Sequence, residues 1–171
     1  MIEAQIASTP ALRDMARGTT SGPWIEHAGP VIQEDLGGLS SDREFAAMRI
    51  AYMATGGSAR ADDLTRLLED CQRGDFVSLA RLIVSGQVFC LDWHHSSWVP
   101  MFQFDLRDLS INQGPRRVRA ELGNEFDGWS LGAWFARPNS WLNGRRPVDL
   151  LDSNLSEVLE ASRADRFIAA G

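Results

Sequence analysis

The sequence contains few of the residues from which small proteins build covalent links or catalytic sites. Two cysteines, three histidines and one tyrosine occur among 171 residues. Two cysteines far apart, Cys71 and Cys90, do not make the disulfide framework of a small secreted domain, so we expect both thiols to be reduced. No apolar run is long enough to cross a membrane, and residues 1–6 do not begin a secretory signal. We therefore expect a cytoplasmic protein.

Lysine is also absent. All 17 cationic residues are arginines, and they face 23 acidic residues, which gives a net charge of −6 and a pI near 5.0. This balance excludes a global electrostatic attraction to nucleic acid or to an anionic membrane, although it allows a local basic face. Hydrophobic residues make up 44% of the chain, which is enough for a buried core.

The apolar periodicity predicts a mainly α fold with one small β-hairpin (α+β). Residues 1–41 are rich in Ser, Thr, Gly and Pro and are predicted to form a loosely packed or flexible arm. The capping box Ser41-Asp42-Arg43-Glu44 predicts the first helix of a module over 42–105. Asp75 is predicted to cap the third helix of that module. Residues 106–171 are predicted to form a second, helical domain.

A change from helical to alternating periodicity predicts the hairpin. Residues 88–93 and 98–104 are β-branched and aromatic, and the polar residues 94–97 would connect them. Pro100 lies in the second segment, which predicts an edge strand. Further along, local signals predict helix starts at Asp127, Pro147 and Asn154 and a tight turn at Asn143-Gly144.

No motif for catalysis or for binding a cofactor is present. There is no Gly-x-Ser-x-Gly elbow, and Gly56-Gly57 lacks the Gly-Lys-Ser/Thr of a phosphate-binding loop. Cys90, Asp92, His94 and His95 lie close in sequence, but successive side chains of a strand point to opposite faces. We therefore predict a protein that is not an enzyme, with no catalytic residue, no metal and no cofactor.

The order of elements over residues 58–95 raises a DNA-binding alternative. Helix, Gly-Gly turn, helix, helix and hairpin resemble a winged helix-turn-helix in order. The residues that would contact DNA are Arg60, Arg66, Ser78 and Arg81. Acidic residues are interspersed among them and would weaken contacts to phosphate. A DNA-binding transcriptional regulator therefore stays open as an alternative.

Tryptophan is the most informative residue of the C-terminal half. Residues 126–136 are apolar almost all round, which is typical of a helix that is central or that faces a partner. Tryptophan is highly buried on average, but it also dominates the energetics of protein interfaces. Both roles, core and interface, stay open for each tryptophan.

One stretch carries a family resemblance. Pro138-Asn139-x-Trp141-Leu142-x-Gly144-x2-Pro147-x-Asp149-Leu150-Leu151 resembles the toxin-binding domain of the Xre/MbcA/ParS antitoxins. Trp129, Trp134 and Val158-Leu159 extend the likeness, which covers roughly residues 75–168.

The resemblance implies the antidote of a bacterial toxin–antitoxin pair. Its toxin would be a RES-domain enzyme that consumes NAD or ADP-ribosylates a target, and the antidote's last helix would cover the toxin's active site. Deleting residues 160–171 should then abolish neutralisation and leave the fold intact. The candidate partner-binding residues are Trp134, Asn139, Trp141, Arg145, Arg146, Glu160, Arg163, Asp165, Arg166 and Phe167.

The resemblance also implies two further partners. Complete members of the family carry a DNA-binding N-terminal domain that represses their own operon, often as a dimer, so a homodimer and operator DNA are expected partners. Residues 42–90 do not match the standard Xre helix-turn-helix. This departure leaves a stand-alone homologue, with neither toxin nor operator, as the third hypothesis.

Overall fold

The computed structural model describes residues 31–71 and 78–171, and describes the backbone alone for residues 31–40. The chain divides into two units, residues 1–36 and 37–171, and the contacts reported below lie within the second. The helices of the described residues are α1 (Val31–Tyr52), α2 (Ala61–Cys71), α3 (Leu79–Val84), α4 (Gln113–Leu122), α5 (Gly128–Ala136) and α6 (Leu155–Ala169). The strands are β1 (Ser58–Arg60), β2 (Leu91–Trp93) and β3 (Ser96–Pro100). The predicted fold class, mainly α with a small antiparallel sheet, is confirmed.

The first helix begins earlier than the sequence predicts. It starts at Val31, so the capping box at residues 41–44 lies within it and does not begin it. A cap contributes only about 1 kcal/mol, and other interactions along a helix can outweigh it. Residues 31–41 of the predicted arm are therefore helical, while residues 1–30 lie outside the described residues.

The sheet has one strand more than predicted. The three-residue strand β1 pairs with β3, with Ser58 opposite Pro100 and Arg60 opposite Trp98. Because β2 pairs with the other side of β3, the strand order is β1-β3-β2 and β3 is central. The edge position predicted from Pro100 is therefore wrong. Proline is tolerated because it is the last residue of the strand.

The hairpin connection is also tighter than predicted. Trp93 pairs with Ser96, which leaves a two-residue turn instead of a four-residue one. Both turn residues, His94 and His95, have positive φ values of 43° and 57°. Two successive left-handed residues characterise the turn that best matches the twist of a hairpin, usually formed by Asn and Gly. The histidines gave no such signal in the sequence.

Two apolar clusters stabilise the unit. The larger one lies among α1, α4, α5 and α6 and includes Tyr52, Leu122, Phe135, Leu142 and Val158. It draws on residues from both sides of the boundary predicted at residue 105. The smaller one lies among α2, α3 and the sheet and includes Leu64, Leu68, Leu79, Val88 and Val99.

Local sequence signals in the C-terminal part agree with the structure. Asp127 caps α5, Asn143 and Gly144 both have positive φ, and Pro147 opens a 3-10 turn, Pro147–Leu150. Asn154 precedes α6 as predicted, but its side chain makes no capping hydrogen bond. In the first half, Ser78 caps α3, whereas Asp75 lies outside the described residues.

Candidate partner-binding surface

Helix α5 is central on one side and half-exposed on the other. Its inner face, with Leu131 and Phe135, is buried in the larger core cluster. Its outer face carries Trp129 and Trp134, both partly buried. The inner face of α5 thus belongs to the core, and the outer face is the one that a partner could contact.

The cap of α5 fixes where the helix begins. The backbone N–H of Ser130 donates to Asp127 Oδ1 over 2.7 Å, and this bond lowers the pKa of the Asp127 carboxyl. Gly128 follows, and an added Cβ there would lie 2.1 Å from the carbonyl oxygen of Cys90. The absence of a side chain at residue 128 therefore lets the start of α5 lie directly against the segment that leads into β2.

Three donors from α5 and the turn after it converge on one carboxylate. Trp134 Nε1 and Asn139 Nδ2 each donate to Asp165 Oδ2 over 2.7 Å, and Trp141 Nε1 donates to Oδ1 over 3.0 Å. We call these four residues the Asp165 cluster. Since the donors lie on α5 and on the turn after it, the cluster ties both to the last turns of α6.

The turn itself is organised by Asn139. Its Oδ1 accepts the backbone N–H of Trp141 over 2.8 Å, while its backbone carbonyl accepts the N–H of Gly144 over 2.9 Å. Asn139 therefore closes the turn and also reaches α6. Both tasks need a side chain with a donor and an acceptor, and an amide has both.

The two arginines of the turn pair with neighbouring carboxylates. Arg145 Nη2 lies 2.9 Å from Glu157 on α6, and Arg146 forms two hydrogen bonds, of 2.7 and 3.1 Å, with Asp149. All four side chains are about a third or more exposed, so the pairs contribute little to stability. Both arginines stay accessible to a partner.

Helix α6 buries one face of its first half and has an exposed tip, residues 163–169. Phe167 is 81% exposed and Ile168 is 66% exposed, while Trp141 beside the Asp165 cluster is 57% exposed. Glu160 and Arg166 are also exposed. Large apolar side chains in contact with water at the end of one helix are typical of a protein-binding surface.

A salt bridge joins the tip to α4. Arg163 Nη2 lies 2.8 Å from Glu121 Oε1, and this hydrogen bond lowers the pKa of Glu121.

Deletion of residues 160–171 is expected from the sequence to leave the fold intact, but the contacts of α6 do not support that expectation. Ala161 and Ser162 are buried, and Asp165 carries three hydrogen bonds. Their removal would disturb packing as well as any partner contact. Point substitutions at exposed positions are the appropriate probes.

The sequence gave no indication that α1 supplies carboxylates to two further tryptophans. Trp129 Nε1 donates to Glu44 Oε2 over 2.8 Å, and Trp93 Nε1 donates to Asp42 Oδ1 over 3.0 Å. The partners are 85 and 51 residues apart, a separation at which no spacing rule operates. Phe45, the residue after Glu44, stacks on Trp93 at 4.2 Å between ring centroids.

Two of the four residues proposed to contact DNA already have partners within the chain. Arg66 lies 3.2 Å from Asp63, and the side chain of Ser78 accepts the backbone N–H of Arg81 as the cap of α3. Arg60 and Arg81 are exposed. Their surroundings include exposed acids on α2, namely Asp62, Asp63, Glu69 and Asp70.

The chemically reactive side chains are dispersed. Burial, reinforced by the charge of Asp92, raises the pKa of the Cys90 thiol, so little thiolate is present at neutral pH. Cys71 is exposed at the end of α2. Within residues 31–71 and 78–171, no group of three or more His, Cys, Asp and Glu side chains is placed to hold a metal ion.

Comparison with known proteins gave no relatives. No family model, no curated protein and no solved structure matches the chain. None of the helices in the described part of the chain combines the length and the apolar character needed to cross a membrane.

Proposed function

We propose that this protein is an antidote that binds a RES-domain toxin and covers its active site with the α6 tip. The toxin would consume NAD or ADP-ribosylate a target. In this proposal the chain performs no chemistry of its own. It presents a preformed helical end to a cleft of the partner, in the cytoplasm of a bacterium.

The observation that carries the proposal is the combination of a fixed helix and an apolar tip. The Asp165 cluster holds the last turns of α6 from two sides, and Phe167 and Ile168 directly beyond it are largely exposed. A preorganised apolar anchor loses little conformational entropy on binding. The resemblance of residues 138–151 to antitoxins supplies the identity of the partner class.

Co-expression with the RES-domain protein of a neighbouring gene tests the proposal. We expect the wild-type chain to restore growth and Phe167→Ala to restore it poorly, because the substitution removes the apolar anchor and no buried contact. Val84→Ala is the matched control, since Val84 is 89% exposed and lies on α3. Equal rescue by both variants would contradict the role of the tip, and the absence of rescue by the wild type would contradict the proposal as a whole.

A DNA-binding regulator is the second candidate. It is favoured by the extra strand β1, which lies between the first two helices and completes a three-stranded sheet behind α2 and α3. This candidate includes the homodimer and the operator implied by the resemblance. Arg81→Ala should weaken operator binding and leave toxin neutralisation unchanged, whereas Arg166→Ala should do the reverse.

A further inference from the structure

Two adjoining cavities on the outer side of α5 share Trp129 as a common wall. One, of about 360 Å³, lies over the exposed face of the helix, with Ser130 and Ala133 as small floor residues. The other, of about 410 Å³, lies against the turn of the hairpin. We call these two cavities together the indole trough; its aromatic walls are Trp93, Phe126, Trp129 and Trp134.

The three indoles of the trough share one arrangement. Each donates its N–H to a carboxylate: Trp93 to Asp42, Trp129 to Glu44 and Trp134 to Asp165, over 3.0, 2.8 and 2.7 Å. Because the polar edge of each ring is held in this way, its orientation is fixed. Phe45 stacks on Trp93 and His94 packs against the same indole. Trp129 and Trp134 line the first cavity, and the face of an aromatic ring carries the negative potential of its quadrupole.

The charges that line the trough are mainly negative. Asp42, Glu44 and Asp92 line it, against one arginine, Arg137, which is paired with Glu44. Oδ2 of Asp42 and Oδ2 of Asp92 accept no hydrogen bond from the described residues. His94 Nε2 lies 3.0 Å from Asp42 Oδ1. The trough is thus an acidic surface whose walls are aromatic.

An aromatic wall next to a carboxylate attracts cations twice, through the ring face and through the charge. The same protein provides an internal example, since the guanidinium carbon of Arg49 lies 5.2 Å from the ring centroid of Trp98. Arginine is the side chain that best combines stacking on an indole with a fork of donors for a carboxylate. Two cavities that share one wall offer separate places for two side chains of one segment.

We propose that the indole trough binds a basic, arginine-containing segment of a partner protein. The segment's arginines would stack on Trp129 and pair with the available oxygens of Asp42 and Asp92, which line the same cavity. This surface differs from the α6 tip, so the inference does not rest on the antidote proposal, and either can fail alone.

Titration calorimetry of the full chain with an alternating Arg-Ser octapeptide tests the inference, with an alternating Glu-Ser octapeptide as the opposite-charge probe. We expect one-to-one binding of the arginine peptide and none of the glutamate peptide. Glu44→Gln should weaken binding about tenfold, because it removes one charge and keeps the acceptor for Trp129. Glu69→Gln removes the same charge from exposed α2 and should change the affinity little.

A steric variant gives an independent result. Ser130→Arg fills the floor of the trough and should abolish binding, whereas Ser153→Arg adds the same side chain at an exposed position outside it. Equal affinities for these two variants, or equal losses in Glu44→Gln and Glu69→Gln, would overturn the proposal and indicate attraction by net charge alone. Binding of the glutamate peptide would overturn it too.

Discussion

Replacing Asp165 with Ala should lower the free energy of unfolding by about 2–4 kcal/mol, a large effect for a partly exposed residue. The substitution removes the one acceptor shared by Trp134, Asn139 and Trp141. Two of these donors lie in partly buried surroundings, so they lose a charged partner and regain water only in part. Chemical denaturation followed by circular dichroism measures the loss.

Two further variants test whether the lost hydrogen bonds cause the lower stability of Asp165→Ala. Asp165→Asn keeps one acceptor oxygen and should lose less than Ala does. Asp152→Ala removes an exposed carboxylate elsewhere and should change stability by no more than about 0.5 kcal/mol. If Asp165→Ala were as stable as Asp152→Ala, the three hydrogen bonds would not hold α6, and the fixed-helix argument for the antidote would lose its support.

Gly128→Ala should destabilise the protein by about 2–3 kcal/mol, although alanine is the better helix former by about 1 kcal/mol. The added Cβ would lie 2.1 Å from the carbonyl oxygen of Cys90, a distance that real Cβ contacts do not show. The clashing atom belongs to the backbone, so no side-chain rotation relieves it. The start of α5 or the segment before β2 must shift.

Ser130→Ala on the same helix is the matched control for this variant. Ser130 is exposed, and the substitution keeps its backbone N–H bond to Asp127 while it removes a side-chain contact with the same carboxylate. We expect a loss of stability much smaller than that of Gly128→Ala. A Gly128→Ala protein that is as stable as the wild type, as propensity alone predicts, would mean that α5 does not lie against Cys90 as closely as described.

Sequence reasoning succeeded where the determining interactions are local. The cap at Asp127 and the turn at Asn143-Gly144 each depend on residues within three positions of one another. The mainly α class follows from apolar spacing along single helices. It needs no knowledge of which helices pack together.

Sequence reasoning failed where residues far apart in the sequence determine the local structure. Strand β1 is only three residues long and forms because β3 pairs with it, about forty residues further on. The start of α1 is not set by the local capping box.

The candidate site shows the same difference between local and distant interactions. Its residues were chosen from the pattern at 138–151, and the partner-binding role assigned to them stays a prediction. The use of Asp165 as an internal acceptor could not be predicted, since its donors lie 24 to 31 residues away. The carboxylates of α1 beside Trp93 and Trp129 were missed for the same reason, and with them the indole trough.

The most direct test of the central claim is a titration of the purified RES-domain enzyme's NAD consumption with this chain. The account predicts that activity falls to zero at one equivalent of the wild type, and that Phe167→Ala requires at least about tenfold more protein for the same inhibition. Val84→Ala should match the wild type. Undiminished NAD consumption at a large excess of the folded wild-type chain would contradict the claim.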